Sequence, residues 1–228
     1  MSARRLLGAV PVLVLGLATA GAHAATIADW TFETTQPTTA GSFTPEVGSG
    51  SALGHHVATS TYSSPVGNGS AHSFSSTAWA AGDYYQFQVS TTGLSGITLS
   101  WDQTSSNTGP KDFTLQYSTN GTTFTTLSSY SVLANATPNT PWSSGTSSSA
   151  YTFTQDLIAD TALNNQATLY FRLVDADTVA AGGGTVGSGG TDRVDNVTVS
   201  AVPLPGALWL LGSGLLTLAT QRRRRVLA

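Results

Sequence analysis

Between Tyr84 and Trp101 apolar side chains recur at every second residue. Tyr85, Phe87 and Val89 share one side, and so do Ile97, Leu99 and Trp101 after a Gly93-Leu94-Ser95-Gly96 turn. A repeat of two is that of an extended strand with one buried face, and it excludes a helix over the same residues. Phe113, Leu115 and Tyr117 alternate in the same way with Thr114, Gln116 and Ser118. No segment between the two ends of the chain has enough of a 3.6-residue repeat for a long helix. Short strands separated by turn residues predict an all-β fold, an antiparallel β-sandwich of jelly-roll type.

The alternation predicts individual strands. The first runs over Ile27 to Glu33, with Trp30 and Phe32 on one face. From Thr34 to Pro65 periodicity fails amid Gly, Pro, Ser and Thr, which predicts loops with one short strand near His55 to Thr61; so long an irregular stretch can also hide edge strands. Asn120-Gly121 predicts a type I′ hairpin turn, because both residues tolerate positive φ, with Phe124 and Leu127 on the returning strand. Tyr151 to Phe153 follows, and Asp156 to Leu163 suits a helical turn. Ala167 to Val174 is apolar on both faces, as a central strand is. The last strand spans Arg193 to Ala201, beyond a Gly-rich loop at Ala180 to Gly190.

The two ends differ from the middle. Residues 1–24 combine Arg4 and Arg5, an apolar run from Leu6 to Ala20 and an Ala22-His23-Ala24 exit. That order predicts a secretory signal peptide removed after Ala24; the alternative of an N-terminal anchor meets a run shorter than the ~18 residues a spanning helix needs. Only Lys111, Arg172 and Arg193 are basic between the ends, against all twelve acids, so the middle has nine more acids than bases. Such a domain repels phosphate backbones, which excludes nucleic acid as a partner. The chain has no cysteine, which excludes disulfides and thiolate metal sites.

Candidate chemistry in the middle is sparse. Asp175, Asp177, Asp192 and Asp195 surround the Gly-rich loop, and Glu33 joins them if the first and last strands are neighbours. Oxygen ligands on flexible loops suit calcium, which makes these five a candidate structural calcium site; the alternative is that the acids solvate strand ends. His55, His56 and His72 read as ordinary loop residues, since adjacent extended residues point apart. No G-x-S-x-G elbow is present, and the two glutamates, Glu33 and Glu46, offer little for a glycosidase pair. Among Trp79, Tyr84, Tyr85, Trp101, Tyr130 and Trp142, the strand aromatics belong in the core. Trp79 and Trp142 lie near loops and are the candidate sugar-stacking residues, or else cover the ends of the core. Four N-x-S/T sequons, at Asn68, Asn120, Asn135 and Asn196, are expected by chance in so Ser/Thr-rich a chain.

The tail, residues 202–228, has three unlike parts in fixed order. Val202-Pro203-Leu204-Pro205 opens it, an apolar run covers residues 206–220, and Arg222, Arg223, Arg224 and Arg225 close it. Fifteen residues span ~23 Å as a helix, and nineteen counted from Val202 span ~28 Å, close to the ~30 Å hydrocarbon core. The arginines would stay cytoplasmic, holding the β-domain outside. A core helix is excluded by the arginine block, and an interfacial helix by a run apolar all round; a permanent anchor is physically equivalent to a temporary one. This tail resembles the PEP-CTERM sorting domain of Gram-negative bacteria, departing from it at Leu204, where the family has Glu. The resemblance implies export through the inner membrane, recognition and removal of the tail by an exosortase-type membrane protease, and association with exopolysaccharide or biofilm. The middle is more loosely similar to the Ser/Thr-rich β-sandwich domains such proteins carry.

The expected organisation is therefore a signal peptide over residues 1–24, a β-sandwich over 25–201 and a transmembrane sorting tail over 202–228. The expected function is that of a non-enzymatic surface or extracellular-matrix protein. A carbohydrate-binding module or adhesin is the alternative, with extracellular polysaccharide as partner, and a secreted hydrolase comes third.

Overall fold

The computed structural model describes residues 23–204. Most of the expected signal peptide, and of the tail Pro205, the apolar run and Arg222 to Arg225, lie outside the described residues. Among the described residues no helix is long and apolar enough to cross a membrane.

Fifteen strands follow in order. They are β1 (Ala25–Trp30), β2 (Gly41–Phe43), β3 (Val47–Gly48), β4 (Ser51–His55), β5 (Tyr62–Ser63), β6 (Phe74–Ser76), β7 (Tyr84–Val89) and β8 (Leu94–Ser105). Then come β9 (Asp112–Ser118), β10 (Thr125–Ser131), β11 (Thr152–Asp156), β12 (Leu169–Asp175), β13 (Val179–Ala180), β14 (Gly184–Thr185) and β15 (Asp192–Pro203). One sheet has the order β11-β8-β15-β1-β3, with β6 also pairing β15 and β5 pairing β6. The other has the order β10-β9-β12-β7-β4-β2, and β13 and β14 form a separate ribbon. Every named strand pair is antiparallel.

The core lies between the two larger sheets and follows the period-two pattern. Tyr85, Phe87 and Val89 of β7 face Ile97, Leu99 and Trp101 of β8, joined by Leu169, Phe171 and Leu173 of β12 and Val197 and Val199 of β15, all buried. Aromatic contacts tie the layers: Trp30 meets Phe87 edge-on at 5.3 Å, and Phe74 meets Tyr85 at 4.9 Å. Each such ring, fully buried, contributes about 1.5–3 kcal/mol by removal from water, so these rows dominate the stabilisation.

The strand ends correct several expectations. β1 stops at Trp30 rather than Glu33, because Phe32 turns into the core through a left-handed backbone (φ 57°). Glu46 satisfies that turn by accepting from the Thr31 and Thr34 N–H groups. The irregular stretch does hide strands, β2 to β5, of which β2, β3 and β5 lie at sheet edges, and His55 ends β4 instead of opening a strand. β9 and β10 pair as a hairpin, but their six-residue link is not a type I′ turn. Gly121 alone takes positive φ (74°), and Asn120 Oδ1 instead accepts from the Thr122 and Thr123 N–H groups at 2.9 Å. Residues 161–163 form the expected helical turn, a single 3-10 turn. The last strand outruns its expected end at Ala201: Val202 pairs with Ser95, Pro203 with Leu94, and Leu204 N–H donates to Gly93 O at 2.9 Å. Val202, Pro203 and Leu204, the first three residues of the expected sorting motif, thus belong to the sandwich.

Candidate functional site

The expected sites come first, because the structure disperses them. Trp79 is 5% exposed: its Nε1 donates to Ser76 O at 3.0 Å, and the rings of His56, Tyr85 and Phe113 surround it. Trp142 is 4% exposed, with Nε1 donating to Val66 O at 2.7 Å and Tyr151 edge-on against it. An indole with its N–H satisfied by a backbone carbonyl and its faces covered is a core side chain. Neither Trp79 nor Trp142 is a sugar platform.

The expected calcium ligands do not converge either. Glu33 accepts from His72 N–H, and Asp177 from Val179 N–H. Asp195 accepts from the Asn68 and Asn196 N–H groups and from Ser70 Oγ at 2.6 Å, and Asp192 from Gln103 Nε2 and Ser105 Oγ. Four of the five carboxylates are committed to separate sets of donors, three in turns and Asp192 to side chains of β8. Among the described residues no three Asp, Glu, His or Cys side chains are grouped to hold a metal ion. Asp175 differs: it is 1% exposed and neither carboxylate oxygen has a hydrogen-bond partner. Burial pushes its carboxyl up to about 7; the nearby Asp177 backbone N–H, outside hydrogen-bond geometry, pulls the other way, and the charges of Asp177, Asp83 and Asp112 add to the rise. Burial also pushes Asp195 up to about 7, against its three donors.

His56 is not an ordinary loop residue. Its Nδ1 lies 2.9 Å from Asp83 Oδ2 and its Nε2 3.0 Å from Ser76 Oγ, the geometry of an acid–imidazole–hydroxyl relay. The Ser76 hydroxyl continues to Tyr85 OH at 3.0 Å, which donates to Asp192 O. Ser76 is 0% exposed, so its hydroxyl meets no substrate. Burial lowers the His56 pKa, outweighing the Asp83 charge that raises it. The relay is a buried polar strut joining the two sheets.

The residues that do come together on an open surface are on the outer face of the six-stranded sheet. Register sets them in three rows across the strands. The first holds Ser129, Thr114, Val174, Tyr84 and His55; the second Thr126, Gln116, Arg172, Gln86 and Leu53; the third Tyr170, Gln88 and Ser51, with Ser118 at its β9 end buried against the Asn120-Gly121 turn. Arg172 Cζ lies 3.9 Å from the Tyr84 ring centroid and 3.5 Å from that of Phe124. On the β4 side His55 stacks on Tyr84 at 4.7 Å and 3°. Since β4 and β12 flank β7 on opposite sides, the four side chains form one stack, His55–Tyr84–Arg172–Phe124, standing on the sheet. The Arg172 Nε donates to Gln86 Oε1 at 2.8 Å, which fixes the plane of the guanidinium. Cation–π contact with two rings contributes about 1–2 kcal/mol to holding it there. A shallow depression of about 270 Å³, bounded by Ser49, Gly50, Ser51, Gln88, Ser90 and Ala167, continues the face at the Gln88 end.

Period-two reading of β7 alone turns Tyr84, Gln86 and Gln88 away from the core; what it lacks is which strands lie beside them.

No family model matches this chain, and no curated protein matches it. Among solved structures the chain is similar to the K2 cleaved adhesin domain of Lys-gingipain, at 12% identity and a TM-score of 0.44 over 77% of this chain and 97% of that one. It is also similar to the K3 cleaved adhesin domain of Lys-gingipain from Porphyromonas gingivalis w83, at 16% identity and 0.42 over 77% and 99%. A third is TmCBM61 in complex with β-1,4-galactotriose, at 8% identity and 0.34 over 65% and 85%.

Proposed function

We propose that this chain is an exported, non-enzymatic surface or matrix protein whose β-sandwich binds extracellular polysaccharide through the outer face of its six-stranded sheet. The observation that carries the reading is the His55–Tyr84–Arg172–Phe124 stack, set among Gln86, Gln88, Gln116, Thr114 and Tyr170 on an open surface. Glycans are recognised by arrays of planar, hydrogen-bonding side chains held rigid before binding, and strands hold them more firmly than loops do. The sandwich is of jelly-roll type in this reading, because successive strands from β7 to β9 and from β10 to β15 cross repeatedly between the sheets. Binding of the full chain in detergent to polysaccharide extracted from its own cells is the direct test. Replacing both Tyr84 and Phe124 by alanine is expected to weaken it at least tenfold, whereas Trp142→Phe leaves it unchanged. Equal binding by all three proteins overturns the assignment of this face.

The same reading places the chain in the envelope of a Gram-negative bacterium. The signal peptide directs it outward, and the tail holds it in the inner membrane until an exosortase-type protease removes the span. Because β15 carries Val202 and Pro203, and the apolar run opens at Gly206, the sandwich would sit on the membrane with almost no linker before processing. Intact mass of the protein recovered from its native cells tests this. The expected mass is that of a chain starting near Ala25 and lacking residues 206–228; a form that keeps Arg222 to Arg225 overturns the sorting step.

A further inference from the structure

We infer that the polysaccharide bound by this face is acidic, and that Arg172 reads its oxyanion. The inference rests on the glycan reading above and narrows it to a ligand class. The three rows around Arg172 contain no Asp or Glu, although residues 25–201 carry nine more acids than bases; the one acid that β9 adds to this face, Asp112, lies beyond the first row and accepts from the Ser131 hydroxyl. The acids are elsewhere: Asp83, Asp175, Asp192 and Asp195 are buried within the sandwich, and others cap turns. Around Arg172, strand alternation leaves amides, hydroxyls, aromatic rings and two aliphatic side chains, Val174 and Leu53, with a single guanidinium among them.

That guanidinium is arranged to receive a ligand rather than to pair internally. Among the described residues the one acid–base contact within ion-pair distance is that of His56 with Asp83, so Arg172 has no carboxylate partner. Its faces are covered by Tyr84 and Phe124, and its Nε is committed to Gln86. What remains for a ligand is the edge carrying the two terminal nitrogens, a planar fork that matches an oxyanion with two parallel hydrogen bonds. Tyr84 is itself covered on both faces, by Arg172 and His55, so its ring has no free face on which a sugar can lie. The stack clamps a cation; it is not a platform for a neutral glycan. Gln116 and Gln86 flank Arg172 in the same row and supply amides for neighbouring sugar hydroxyls.

The test uses the full chain in detergent and three probes of comparable length: dextran, dextran sulfate and polygalacturonate. Retardation in gels containing each polymer is measured at low and at moderate salt. At least tenfold tighter binding to an acidic polymer than to dextran is expected, weakening as salt rises. Polygalacturonate alone assigns the oxyanion to a carboxylate; dextran sulfate alone assigns it to a sulfate ester. Arg172→Gln should abolish the preference, and Arg172→Lys, which keeps the charge without the fork, should restore only part of it. If Arg172→Gln misfolds, a chain with Arg222 to Arg225 replaced by glutamine decides: a salt-sensitive acidic preference that persists comes from the sandwich, and one that vanishes came from the tail and overturns the inference. Equal binding to dextran and the acidic polymers, insensitive to salt, overturns the inference while leaving the glycan reading intact; no binding to any of the three, or to the cells' own polysaccharide, overturns both. Acidic-polymer binding that survives Arg172→Gln, or full recovery with lysine, overturns the role of the fork.

Discussion

Replacing Asp83 with alanine is expected to destabilise the sandwich by about 3–5 kcal/mol, because it orphans several buried polar groups at once. Asp83 is fully buried and gathers three groups at once. Its Oδ1 accepts from Val57 N–H at 2.8 Å, and its Oδ2 accepts from Ala80 N–H at 2.8 Å and contacts His56 Nδ1 at 2.9 Å. Alanine leaves two backbone N–H groups and one imidazole nitrogen without partners, each orphan costing about 1–3 kcal/mol. The damage spreads because the same strut continues through Ser76 and Tyr85 to the Asp192 carbonyl, joining β6 and β15 of one sheet to β7 of the other. Asparagine should rescue little: its Nδ2 turns donors toward groups that already donate. At roughly 2–4 °C per kcal/mol for a chain of this size, melting should fall by about 10 °C or more in the alanine variant. Calorimetry checks it, and a loss under 3 °C would show that solvent replaces the carboxylate and that the strut is not sealed.

That strut also marks the limit of what the amino-acid sequence discloses. The core rows of β7, β8 and β12 are legible because a repeat of two specifies burial within a single strand. Trp79 and Trp142 stay open in the sequence between sugar platform and core cover for the complementary reason. Both sit outside strands, where spacing carries no burial signal, and each found a nearby carbonyl for its N–H, that of Ser76 or Val66. The Asp83–His56 contact joins residues 27 apart across an irregular stretch. The Arg172 stack needs β4, β7, β12 and the link before β10 to be neighbours. Strand order is a property of the closed sandwich, set by which faces can be buried together, so no local pattern carries it. The edge strands β2, β3 and β5 are two or three residues long, too short for any alternation to register. The carboxylates near the Gly-rich loop illustrate the same point: closeness along the chain predicted a shared cation, whereas separate donors take separate acids.

Asp175 is the exception among those acids, and Asp175→Asn is expected to stabilise the protein above neutral pH while changing nothing in mild acid. The carboxyl closes β12 facing inward, with no donor for either oxygen, and burial lifts it to about 7 from 3.8. A raised folded-state value means that the native protein holds the proton more tightly than the unfolded chain. Below about pH 4 both states are protonated and Asp175 costs nothing through ionisation; as pH rises the unfolded chain releases its proton first, and the penalty grows until it levels off above about pH 7. Tenfold in proton affinity is worth about 1.4 kcal/mol, so the ceiling is about 4 kcal/mol, and relaxation of the site brings the expected value nearer 2. Asparagine has the same shape and no charge to lose. Its melting temperature should therefore match that of the unaltered chain at pH 4 and exceed it by roughly 4–8 °C at pH 8. Asp195, lifted to the same range, and Asp192, also pushed up by burial, contribute in the same direction; together with Asp175 they outweigh His56, whose lowered pKa opposes them, so the unaltered protein should be more stable at pH 5 than at pH 8. A variant whose advantage is equal at both pH values would mean that the gain comes from packing, and that Asp175 is ionised or neutral alike in the folded and unfolded chain.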